Sequence, residues 1–332
     1  MQVGVAGVGR IGALHAENLV GQVGADAVLI ADADAGRAAT VAEKLGARAV
    51  SGLDELFAAG LDGLVIAVPT DAHAALVVRA VRAGVPVFCE KPIAPDIAGT
   101  MAVLREVGDS PVPVQVGFQR RFDPGYAAAR AAVSNGSLGQ LHTVIGFTLD
   151  PTPPPAEYVA GSGGIFRDCL VHDLDILRWV TGQEVVTVHA VGSNLGDDYI
   201  KQAGDVDAVA VTLTMADGTL AMLSASRYNL AGYDVRMELR GHADSIAVGL
   251  DARSPLRSVE PGVAVTGPAY PGFLDRFRAA YVAEMAAFTA LVANGGSSPC
   301  TISDALAAFV LAEACDRSRR EGRSVTVAEV AA

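Results

Sequence analysis

Asp168 and His172, in "GSGGIFRDCLVHDLDILRW", are four residues apart in a stretch that carries three aspartates, one histidine and two arginines. At about 100° per helical residue, Asp168, His172 and Asp175 fall within roughly a 60° arc of one face. Leu170, Leu174 and Leu177 lie on the opposite face as an anchor. The four-residue spacing puts Asp168 and His172 in contact range. A carboxylate beside an imidazole favours its protonated form and fixes the ring's orientation. Such a pair can take a hydroxyl proton near neutral pH. The stretch leaves other uses open: Asp168 as a helix N-cap, His172 as a packed interior histidine, or the set as metal ligands. No second ligand cluster with a metal-binding spacing occurs in the chain, so no metal is expected. Asp173 and Asp175 are expected to be structural or at most secondary contacts.

A second group is Glu90 and Lys91 in "FCEKP", at the end of an apolar run. In a parallel α/β sheet, ligands gather outside the carboxyl ends of the strands. Both side chains are therefore expected at a cofactor cleft, and Pro92 fixes the backbone there and can be cis. "VPTDAH" (68–73) ends another run in the same way, which places Pro69 and Thr70 along the cofactor. Thr70 or Asp71 can also cap the helix that follows. His73 faces the same cleft or packs as a structural histidine.

The third group is Gly7-x-Gly9-x-x-Gly12, between an apolar run and a helical pattern. In that setting Gly7 makes the tight turn, Gly9 admits a pyrophosphate to the backbone, and Gly12 lets helix and strand pack. The helix N-terminus then faces the phosphates. Gly7, Gly9, Arg10, Ile11 and Gly12 are the expected cofactor contacts. Asp32, about twenty residues beyond Gly12, is placed to accept hydrogen bonds from ribose hydroxyls. Its charge disfavours a 2′-phosphate and so favours NAD over NADP; Arg37 argues the other way. A nicotinamide takes a hydride, so another group must take the hydroxyl proton.

These groups need elements to hold them. Apolar runs at 2–6, 27–32, 63–69, 86–90 and 113–118 alternate with helical patterns at 9–20, 35–47, 71–83 and 96–107. That rhythm predicts βαβ units and a parallel sheet covered on both faces. After residue 120 the texture changes. A helix (124–136) and a long strand (140–150) lead into the Pro/Gly-rich segment "PTPPPAEYVAGSGG", expected to be neither helix nor central strand. Strand patterns follow at 185–191, 206–215, 219–227 and 233–240, with a hairpin signal "ADG" at 216–218. Two helices are expected over 274–293 and 302–319. The fold class is α/β: an N-terminal Rossmann dinucleotide-binding domain (1–121) and a C-terminal α+β domain with a mainly antiparallel sheet (122–332).

The chain's 332 residues are 51% hydrophobic, ample for two cores. A net charge of −12 argues against nucleic acid or anionic membranes as partners. Four scattered cysteines without CxxC spacing read as reduced thiols. Neither a signal-peptide pattern nor an apolar run of membrane-spanning length is present. The expected location is the cytoplasm.

The combination of "GVGRIGALHAENL", "AVPTDAHAALVVRAVRAGVPVFCEKPI", "QVGFQRRFDPGY" and "GSGGIFRDCLVHDLDILRW" resembles the Gfo/Idh/MocA oxidoreductase family, most closely its inositol 2-dehydrogenases. The resemblance covers nearly the whole chain and is best over 1–182. It implies a catalytic lysine at Lys91 and a catalytic pair at Asp168 and His172. It also implies that Arg121 in "QRRFD" and Tyr233 in "GYDVR" line the cofactor–substrate cleft. "LDPTPPPAEY" is similar to a substrate loop of inositol dehydrogenases, with Asp150 in place but Leu149 where a polar residue is more usual. The implied substrate contacts are Lys91, Arg121, Asp150, Asp168, His172 and Tyr233. The implied activity is NAD-dependent oxidation of a secondary hydroxyl on a cyclic polyol, with myo-inositol as first choice. Another inositol isomer or sugar, or a non-catalytic NAD or sugar sensor, is the alternative. The family's open C-terminal sheet commonly builds oligomers, which implies a homodimer or homotetramer.

Overall fold

In the computed structural model, which describes residues 1–263 and 267–331, the N-terminal apolar runs pair in parallel. They are β1 (Val3–Ala6), β2 (Val28–Ala31), β3 (Arg48–Ala49), β4 (Gly63–Ile66), β5 (Val87–Glu90) and β6 (Val114–Gly117), in the order β3-β2-β1-β4-β5-β6. All residues of β1, β2 and β4 are buried, which is why they read as unbroken apolar runs rather than alternating ones. Helices Arg10–Val23, Ala35–Leu45, Leu53–Ala58, His73–Arg82 and Ile97–Val107 make the crossovers. The order reverses between β1 and β4, and a crevice at such a switch point is where open α/β sheets bind ligands.

The second sheet has seven strands. They are β7 (Leu141–Leu149), β8 (Val185–Ser193), β9 (Ala208–Met215), β10 (Leu220–Ser226), β11 (Asp234–Gly241), β12 (Ser245–Val248) and β13 (Val325–Thr326). Their order is β12-β11-β7-β10-β9-β8-β13. Only β7 and β10 pair in parallel; the other neighbours are antiparallel. Residues of β9 alternate, with Val209, Val211, Leu213 and Met215 buried and the residues between them exposed or partly so. That period of two marks a sheet with one covered face.

The chain forms two compact units. The first is 1–122 with 279–306, and the second is 123–278 with 307–332. The expected division at 121/122 into two continuous segments therefore needs correction for 279–306. Met285 and Phe288 of helix Arg278–Asn294 belong to the same buried cluster as Val3, Val5, Ile30, Val65 and Phe88. A second correction concerns the proline-rich segment, which contains a short helix, Ala156–Gly161, with Pro155 at its N-cap. Proline is compatible with that position because a helix's first residues need no N–H donor.

Candidate active site

The glycine turn of the first unit joins β1 to helix Arg10–Val23. Gly7 has φ +87°, and a Cβ there would stand 2.6 Å from the carbonyl oxygen of Ala67, just past β4. A Cβ on Gly12 would stand 2.0 Å from the carbonyl oxygen of Gly7. Any side chain at either position would force the strands and the helix apart. Above Gly9, in contrast, there is open space. The first-turn N–H groups of a helix have no partner within it, and no side chain caps this one. Arg10 is exposed and Ile11 partly so.

Asp32 follows β2. Its Oδ2 accepts from the N–H of Val8 at 2.8 Å and its Oδ1 from the N–H of Asp34 at 2.9 Å. The carboxylate is thereby tied to the glycine turn itself. Arg37 lies 3.5 Å from Asp32 and 3.6 Å from Asp34, so two acidic residues already engage it. An open glycine turn, an uncapped helix start and a fixed carboxylate at the end of β2 together fit an NAD dinucleotide.

Pro69 precedes a 3-10 turn, Thr70–Ala72, that runs into helix His73–Arg82. No side chain caps either element, so the capping alternative for Thr70 and Asp71 does not hold. His73 is 2% exposed, with Nδ1 2.7 Å from the Pro92 carbonyl oxygen and Nε2 2.8 Å from that of Val68. It is the packed structural histidine, joining the end of β4 to the turn after β5. Glu90 closes β5 and Lys91 follows, partly exposed, on a cis bond to Pro92. The Glu90 Oε1 lies 2.7 Å from Nε2 of the fully buried His15. Arg121 is buried and donates to the Pro299 carbonyl at 3.2 Å, with Asp304 3.4 Å away, all within the first unit.

In the second unit the D-x-x-x-H segment starts as a π-helical turn, Phe166–Leu170, and continues as helix Val171–Thr181. Asp168 thus sits inside a helical turn and is not its N-cap. The wider turn also revises the even spacing expected of one α-helical face. Asp168 and His172 remain partly exposed while Asp175 is fully buried. Leu170, Leu174 and Leu177 are fully buried and anchor the segment as expected. Asp173 is structural, its Oδ2 accepting from the Thr148 hydroxyl at 2.7 Å.

Asp168 is held from two sides. The Tyr158 hydroxyl donates to Oδ1 at 2.8 Å, and Arg227 lies 3.4 Å from Oδ2. Arg227 is fully buried and also donates to Asp205 at 3.1 Å. Burial works against its charge, but the carboxylates of Asp168 and Asp205 beside it outweigh that and hold the guanidinium above its ordinary value. Asp205 in turn accepts from the N–H of Ile165 at 2.9 Å, fixing the start of the π turn. Burial, then the charges of Asp150 and Asp168, push the Cys169 thiol well above its usual range. It stays an S–H donor, 3.2 Å from Asp150 Oδ2. The second unit therefore brings Asp150 to Cys169, the residue next to Asp168 in the chain. Tyr233 is buried and pairs through its backbone with Tyr270. Among the described residues, no group of three His, Cys, Asp or Glu could hold a metal ion.

Comparison with known proteins follows this division. Residues 1–118 match the model of the oxidoreductase family with an NAD-binding Rossmann fold, and 126–247 match the GFO/IDH/MocA C-terminal domain. The chain belongs to the Gfo/Idh/MocA oxidoreductase family. An inositol 2-dehydrogenase of Rhizobium meliloti (strain 1021) is 38% identical over 330 residues, 99% of each chain. A scyllo-inositol 2-dehydrogenase (NAD(+)) of Bacillus subtilis (strain 168) is 36% identical, covering 97% of this chain and 94% of that one. A crystal structure of a myo-inositol dehydrogenase from Corynebacterium glutamicum matches with a TM-score of 0.91 at 39% identity, over 98% of both chains.

Several residues of this family member escape sequence reasoning. Arg227 and Tyr158 hold Asp168, Asp205 holds Arg227, and His15 holds Glu90. The only local signals are an arginine just beyond an apolar strand and a histidine on the apolar face of the first helix, beside Gly12, Ala16 and Leu19.

Proposed function

We propose that this member of the Gfo/Idh/MocA family oxidises a secondary ring hydroxyl of an inositol with NAD, myo-inositol to its 2-keto product being the first choice. The observation that carries the reading is Lys91 at the end of β5 in a unit whose glycine turn fits NAD, in a chain with full-length inositol dehydrogenase relatives. When bound, NAD accepts the hydride from the carbinol carbon. Lys91 hydrogen-bonds the reacting oxygen and stabilises the negative charge it gathers. His172 takes the hydroxyl proton. Asp168, held by Tyr158 and Arg227, orients His172 and contacts the substrate. Arg121, Asp150 and Tyr233 are assigned to the substrate, and Glu90, Pro69, Thr70, Asp32 and the Gly7–Gly12 turn to the cofactor. Leu149 offers no hydrogen bond to a ring hydroxyl, so isomer preference rests on the other contacts.

The protein is assigned to the cytoplasm on its acidic surface and on the absence of a disulfide among its four cysteines. No helix among the described residues is long and apolar enough to cross a membrane. Self-association as a homodimer or homotetramer is supported by Leu220, Met222 and Val191, exposed apolar residues on β10 and β8. Light scattering checks it, and a monomer at micromolar concentration would contradict it.

The test of the activity is NAD and NADP reduction against a panel of inositols and aldoses. At least one inositol is expected to support turnover, with NAD preferred. Failure with every polyol would overturn the reading and favour a sensor.

A further inference from the structure

Behind the Glu90–Lys91 turn, the first unit buries polar atoms that it does not pair. Glu284, on helix Arg278–Asn294, is 0% exposed, and neither of its carboxyl oxygens has a hydrogen-bond partner among the described residues. Its surroundings are well defined. Phe88 and Glu90 share one face of β5, in register with Gln115 and Gly117 of β6. Gln115 Nε2 donates to the backbone carbonyl of Glu284 at 3.2 Å. The Phe88 ring lies 6.0 Å from Phe288, one turn beyond Glu284. The His15 ring lies 5.0 Å from Phe88 and 5.9 Å from Tyr281, one turn before Glu284. His15 Nδ1 and Gln115 Oε1 are also buried without partners.

A buried carboxylate with no donor costs several kcal/mol, so such a group keeps its proton instead. Two carboxyls that share a buried site do not both ionise. Glu90 has the His15 imidazole at 2.7 Å, and Glu284 has no donor. The proton therefore belongs on Glu284 and the charge on Glu90. Burial, then the charge of Glu90, hold the Glu284 carboxyl well above the usual range. The titratable groups around it are His15 from the first helix, Glu90 from β5 and Tyr281 from its own helix; β6 contributes the uncharged Gln115.

We propose that Glu284 is carried as a neutral carboxylic acid behind Glu90, which leaves the single carboxylate charge of this cluster on Glu90, beside His15 and next to Lys91, so that loss of the Glu284 proton would change the charge beside the reacting lysine. The kinetic half rests on the reading of Lys91 given above; the protonation half does not.

The test uses the full-length enzyme. In an infrared difference spectrum of wild type against Glu284→Gln at neutral pH, a protonated-carboxyl band is expected in the wild type alone. In Glu90→Gln the same band should titrate away at lower pH, because the neighbouring charge is gone. A carboxylate band in place of the acid band would overturn the proposal. So would a band whose titration ignores Glu90→Gln. In kinetics, Glu284→Gln, which cannot lose a proton, is expected to match the wild type's kcat at neutral pH and to keep it at alkaline pH where the wild type declines. Coincident pH profiles of kcat for the wild type and Glu284→Gln would overturn the kinetic half. Should the wild type reduce NAD with no polyol, the activity reading falls while the infrared result still decides the protonation.

Discussion

The two units each bury a cluster built on carboxyl groups, and they stabilise it in opposite ways. In the second unit, the Arg227 guanidinium lies between Asp168 and Asp205. The remaining carboxylate oxygens are taken up by the Tyr158 hydroxyl and the N–H of Ile165. In the first unit, Glu90 has the imidazole of His15, and among the described residues nothing hydrogen-bonds the carboxyl oxygens of Glu284. A cluster held by a permanent cation is fixed in charge, since arginine does not lose its proton. A cluster held by a neutral acid can change its charge with a single proton. Rigid orientation therefore goes with Asp168 in the second unit, and a charge that one proton can change goes with Glu90 in the first.

The largest expected effect comes from breaking the ionic cluster. Arg227→Met leaves two carboxylates without their cation and should cost about 3–5 kcal/mol of stability, read as a lower midpoint in urea unfolding. Asp205→Asn should cost less, because Asp168 keeps its cation. Equal losses would show that the cluster does not act through the arginine.

Lys91→Ala and His172→Ala address the chemistry itself. Each should retain NAD binding and lower turnover about 10²-fold or more, about 3 kcal/mol. Steady-state kinetics with an NAD titration checks both. Most of the activity surviving in either variant would remove that residue from the catalytic set.

Tyr158→Phe sharpens the comparison from the exposed edge of the ionic cluster. Tyr158 is 49% exposed, so loss of its bond to Asp168 should lower kcat only by roughly three- to tenfold. The arginine holds the carboxylate in its absence.

A dependence on pH tests the neutral acid of the first unit. Glu284 has a folded-state pKa raised above its unfolded value, so the native state binds more protons than the unfolded chain. Stability from this group is full below the ordinary glutamate range and declines as pH rises towards the raised value. Glu284→Gln should abolish that decline, making the variant relatively more stable towards neutral pH in a urea series. Parallel curves would contradict a neutral buried acid.

Much of the fold was legible because burial imposes a period. The fully buried β1, β2 and β4 read as apolar runs, and β9 reads as an alternation. The two-residue strands β3 and β13 are too short to carry any period. The return of 279–306 to the first unit leaves no local mark either, since an apolar helix face looks the same whichever core it joins. The candidate site divides similarly. The glycine turn, Asp32, Lys91, Asp168 and His172 show in short motifs. Their supports do not, because His15 meets Glu90 across 75 positions and Arg227 meets Asp168 across 59. No spacing rule reaches that far.

The measurement that tests the central claim most directly uses an inositol carrying deuterium at its reacting carbinol carbon. The account predicts that the label appears in the reduced nicotinamide, with NAD as acceptor, and that Lys91→Ala and His172→Ala lose the transfer while still binding NAD. NAD reduction without transfer of the label, or label released to water, would contradict it.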